Sequence, residues 1–73
     1  MAQQVYNVGV DGTNNIVSVL NPLAVVDYTL YMNNQADALE YTNSADAASV
    51  ANYLNGLNLN MSFVVLGPHP KPR

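Results

Sequence analysis

Cysteine and tryptophan are absent from this chain of 73 residues. Without cysteine there is neither a disulfide framework nor a thiolate metal site, two of the usual supports of so short a domain. Basic side chains are almost absent as well: Lys71 and Arg73 stand against five acids, for a net charge of -3. Displacing counterions from nucleic acid takes several Lys or Arg, so DNA and RNA are not expected as partners. Charged residues make up 10% of the chain, against about 25% in an average soluble domain. Long apolar runs are missing too. The longest, residues 23–26 and 63–66, fall far short of the roughly 20 residues a membrane helix needs, and Met1-Ala2-Gln3-Gln4 carries no basic residue of the kind that opens a signal peptide. No membrane partner is expected, and the expected setting is the cell interior or a virion.

With 49% hydrophobic residues the chain is too apolar for disorder and should fold as one domain. Its large core candidates are one Phe and five Tyr, and a domain this size buries only about 60% of the surface its unfolded chain exposes. With bridges and thiolate metals excluded, oligomerisation is the remaining common source of stability.

In residues 5–10, Tyr6, Val8 and Val10 alternate onto one face, which predicts a strand. Asp11 to Asn15 supplies turn residues and residues 16–20 a second strand, so the two form a hairpin that Asn21-Pro22 ends. From 23 to 32, Val26, Tyr28, Leu30 and Met32 share a face, the pattern of a half-buried third strand. Residues 38–42 suit a short strand, with an irregular or helical alternative. Asn43 and Ser44 are good N-caps, and Ala47, Val50, Ala51, Leu54 and Leu57 then form one stripe at helical spacing, with Gly56 placed to end the helix in the left-handed conformation. Residues 58–66 read as a last strand stopped by Gly67-Pro68. The predicted fold class is α+β: a small antiparallel sheet of four to five strands with one helix packed on one face, in the order hairpin, strand, possible strand, helix, strand. Residues 1–66 form the domain and residues 67–73 an extended, Pro-rich basic tail.

Candidate chemistry is sparse. Asp11-Gly12-Thr13 after a strand resembles a phosphoryl-transfer loop, but Gly9 stands where a second carboxylate would be needed, and a hairpin turn explains the residues. Asp11, Thr13 and Asn15 have the opening spacing of a calcium loop, yet Pro22 occupies the position of its closing carboxylate. The remaining acids, Asp27, Asp37, Glu40 and Asp46, are dispersed, and Asn60-Met61-Ser62 reads as a chance sequon. His69 is the only histidine and sits between prolines, which do not preorganise a general base. No catalytic residue, metal or cofactor is therefore expected, and the chain does not read as an enzyme.

One helix cannot cover both faces of such a sheet, so the second face should meet solvent, another copy or a partner, with Tyr31, Val64 and Leu66 exposed on it. In the tail, Pro68, His69, Pro70, Lys71, Pro72 and Arg73 combine polyproline stiffness with both basic residues, giving an arm suited to an acidic or aromatic groove. Eleven asparagines offer uncharged hydrogen bonding. These residues predict a non-catalytic module that associates with itself and with another protein, through the open face, a strand edge or the tail. The length and missing site chemistry suit a bacteriophage structural or accessory protein. Alternatives are an acidic inhibitor of a host enzyme, or a ligand pocket formed between copies by Tyr28, Tyr31 or Tyr53.

Overall fold

The computed structural model describes residues 3–72. Strands β1 (Gln4–Val10), β2 (Asn15–Val17) and β3 (Val25–Asp27) are followed by helices α1 (Tyr28–Met32) and α2 (Ser44–Asn55) and by strand β4 (Phe63–Pro70). The strands form one antiparallel sheet in the order β3-β2-β1-β4. This is the predicted α+β arrangement of a four-stranded sheet and a packed helix.

Ladder partners assign the two faces. Val8 lies opposite Val65, Val10 opposite Phe63 and Val17 opposite Val25, whereas Asn7 lies opposite Leu66, Gly9 opposite Val64 and Ile16, and Ile16 opposite Val26. The first set faces α2, where Val8, Val10, Val17 and Phe63 meet Ala47, Ala51 and Leu54 in the main core. The Asn43 side chain caps α2 by accepting from the Ala45 N–H at 2.7 Å, and Asp46 adds an acid to the first turn. Small residues at 47 and 51 let this helix lie close to β1 and β4, on which it packs.

Six expectations need correction. The strand expected through residue 32 ends at Asp27, because the Asp27 carboxylate accepts from the Thr29 N–H at 2.8 Å and the Leu30 N–H at 3.4 Å and so starts α1. Local capping outweighs the period of two in Val26, Tyr28, Leu30 and Met32. Residues 38–42 form no strand: Tyr41 makes a single antiparallel bridge to Tyr6, taking the place beside β1 that the short β2 does not reach. The second strand stops at Val17, where the N–H and Oγ of Ser18 both donate to the Ala24 carbonyl and close a turn.

Gly56 ends α2 in the right-handed conformation (φ -68°) instead of the left-handed one. Left-handed backbone follows it at Asn58 (φ 56°) and Asn60 (φ 59°), which delay the start of β4 from 58 to Phe63. Finally, β4 passes through Gly67-Pro68 to Pro70 and pairs Val5 with His69 and Gln4 with Pro70, so most of the predicted tail is part of the sheet. Two residues of β4 are accommodated in a bulge opposite Tyr6, with Gly67 at φ 128° and the Gly67–Pro68 peptide cis. A Cβ at Gly67 would lie 2.8 Å from the Val5 carbonyl oxygen, so only glycine fits.

Candidate interaction surface

The second sheet face is covered in part. Helix α1 and the chain after it bring Tyr31 over the end of β4, where it is fully buried, contrary to the exposed position expected of it. Its ring stands edge-on to the His69 imidazole at a centroid distance of 5.9 Å, with Tyr28 edge-on to the same imidazole at 5.8 Å. The Tyr31 hydroxyl donates to Glu40 Oε2 at 2.6 Å, and Lys71 Nζ lies 3.5 Å from Glu40 Oε1. Burial, followed by the Glu40 hydrogen bond, pushes the Tyr31 phenol up to about 12.

Asn7 is the buried polar side chain at the centre of this network. Its Nδ2 donates to the Leu39 carbonyl at 2.7 Å, which leaves Oδ1 as an acceptor for His69 Nε2. His69 Nδ1 lies 3.0 Å from the Pro70 carbonyl. Both imidazole nitrogens thus face oxygen acceptors of the protein. Among the described residues no buried side-chain nitrogen or oxygen lacks a partner, and no group of three or more metal-binding side chains occurs. The arrangement ties β1, α1 and β4 together.

The other predicted contact residues are scattered. Val64 and Leu66 are half-buried on the second face, Pro68, Pro70 and Lys71 are exposed, His69 and Pro72 are half-buried, and Arg73 lies outside the described residues. Of the tyrosines offered as alternatives for a pocket between copies, Tyr28 lines a hollow of about 450 Å³ with Ile16, Leu66, Pro68 and His69, Tyr31 is buried, and Tyr53 is exposed on α2.

Both edges of the sheet are poor templates for another strand. Edge strand β3 has three residues. On β4, the Phe63 N–H donates to Asn55 Oδ1 at 2.7 Å and Asn55 Nδ2 donates to the Phe63 carbonyl at 3.0 Å, so one side chain takes the place of a neighbouring strand. Farther along, Pro68 and Pro70 have no N–H to offer.

Sequence reasoning passed over the turn between β2 and β3. There Leu23 is 78% exposed, Leu20 62% and Val19 53%. The backbone that presents them is well tied: Ser18 N–H donates to the Ala24 carbonyl at 2.7 Å, Leu23 N–H to Asn21 Oδ1 at 2.9 Å and Ala24 N–H to the Asn21 carbonyl at 3.0 Å. Beside it runs a groove of about 480 Å³ with a mixed lining, in which Pro22, Leu23, Val25 and Met61 stand beside Asp11, Asn15 and other polar side chains. The exposure is local, since the whole surface of 4353 Å² is close to the roughly 4,400 Å² typical of a folded monomer of 7.9 kDa. The sequence signal was available: an Asn-Pro turn flanked on both sides by leucine and valine instead of polar residues.

No protein-family model matches the chain, and searches of curated proteins and of solved structures also return no match. No helix among the described residues is long and apolar enough to cross a membrane.

Proposed function

We propose that this chain is a non-catalytic interaction module that associates with a second copy of itself through the turn at residues 18–24. The observation that carries the reading is the turn itself, whose hydrogen bonds hold Val19, Leu20 and Leu23 in solvent. A loop tip whose backbone is already tied down loses little backbone entropy when it is covered, which favours association.

Two further features support a second copy as the occupant. The knob and the groove are neighbours and share Leu23, so one patch carries both shapes, as a two-fold interface requires. The turn from residue 12 to residue 26 carries no Asp, Glu, Lys or Arg, and Asp11 is the one charged side chain that lines the groove, so repulsion between two copies at this patch is confined to that carboxylate. Amide shifts recorded over a dilution series test the surface. Movement confined to residues 18–25 and 60–61 supports the reading; movement centred on β4 or α2, or none, opposes it.

A further inference from the structure

We infer that Asn55 is the chain's site of spontaneous deamidation and that its contact with Phe63 holds the reaction off in the folded protein. Asn55-Gly56 is the single Asn-Gly pair in the sequence. Glycine offers no side chain to hinder attack by its own backbone nitrogen, and asparagine is among the thermolabile residues. In the reaction the Gly56 nitrogen, having lost its proton, bonds to Asn55 Cγ. The Cγ–Nδ2 bond breaks and ammonia leaves. Water then opens the five-membered imide at either carbonyl, giving aspartate or its β-linked isomer. One water enters for each ammonia released, and nothing is oxidised or reduced.

The fold opposes each requirement of ring closure. Asn55 is the last residue of α2, and its helical backbone keeps the Gly56 nitrogen turned away from Cγ. The Gly56 N–H donates to the Asn52 carbonyl at 3.0 Å. The Asn55 carboxamide is fixed at both ends by Phe63, at 2.7 Å and 3.0 Å. All of these hydrogen bonds must open before the ring can form, although both Asn55 and Gly56 are exposed to water. The product could not restore the contact. A carboxylate still accepts from the Phe63 N–H, but it has lost the donor that faced the Phe63 carbonyl and presents an anionic oxygen there instead.

The full chain is incubated at mildly alkaline pH, once in buffer and once unfolded in urea, and the peptide carrying Asn55 is followed by mass spectrometry. We expect Asn55 to be modified before any other asparagine in the unfolded chain, and about tenfold or more slowly in the folded one, because hydrogen bonds must first be released. Gly56→Ala, whose added Cβ clears its nearest neighbour by 3.4 Å, should keep the fold and slow the reaction in urea. Asn55→Asp, which reproduces one product, should unfold at lower urea than the wild type, because the donor to the Phe63 carbonyl is gone. Equal rates in the two conditions, faster modification at another asparagine, an unaltered rate for Gly56→Ala in urea, or an unchanged urea midpoint for Asn55→Asp would each overturn the inference.

Discussion

Asn55 binds Phe63 as a strand would, giving its amide oxygen to the Phe63 N–H at 2.7 Å and its amide nitrogen to the Phe63 carbonyl at 3.0 Å. The contact joins the end of α2 to the start of β4 across the loop that Asn58 and Asn60 turn through in left-handed conformations. Phe63 is a buried core residue, so its backbone groups have little access to replacement water. Asn55→Ala should therefore lower unfolding free energy by about 1–3 kcal/mol, the worth of two hydrogen bonds at roughly 0.5–1.5 kcal/mol each. Urea denaturation measures the loss.

The Tyr31 phenol gives the fold a dependence on alkaline pH. Its folded value of about 12 lies above the ordinary value of 10, through burial first and the Glu40 hydrogen bond second. Raised in the fold, it contributes stability that is complete below about pH 10 and is lost as pH rises towards 12, because the unfolded chain gives up its proton first. Tyr41 shifts in the same direction, through burial and the nearby Asp46 carboxylate. The difference between wild type and Tyr31→Phe isolates the first group: the variant should show a shallower loss of stability above pH 10 when denaturation is repeated across that range.

Gly9 is enclosed on the second sheet face, and a Cβ there would come within 2.5 Å of Leu66 Cδ1 and 3.1 Å of its Cγ. Gly9→Ala should cost about 1–3 kcal/mol, the usual penalty of overpacking. Leu66 is the obstacle, so the penalty should shrink in the double variant Gly9→Ala/Leu66→Ala relative to the sum of the two single changes. A double-mutant cycle from thermal or urea unfolding checks the coupling.

How much of this was legible in the sequence follows from the range of the interactions. β1 and α2 were readable because local period and capping agree: Val8 and Val10 alternate, and Asn43 precedes the stripe of Ala47, Ala51 and Leu54. α1 was not, because the apolar alternation from Val26 to Met32 argues for a strand while Asp27 argues for a cap, and only the cap is satisfied. The continuation of β4 was hidden by Gly67-Pro68, which reads as a stop in sequence and serves as a bulge in the sheet. His69 was noticed in the sequence, but its partner Asn7 lies 62 positions away, beyond the reach of any local pattern. The exposed turn is masked in sequence because Asn21-Pro22 marks a break while the flanking Leu20 and Leu23 have the composition of core residues.

Sedimentation equilibrium of the intact chain beside its Leu20→Ser/Leu23→Ser variant tests self-association most directly. These leucines are 62% and 78% exposed, so replacing them should leave the fold intact, which circular dichroism verifies. The account predicts that the wild type gains mass towards a dimer as concentration rises through the micromolar range, while the variant stays at the protomer mass. A wild type that remains a monomer throughout, or a variant that dimerises equally well, would contradict it.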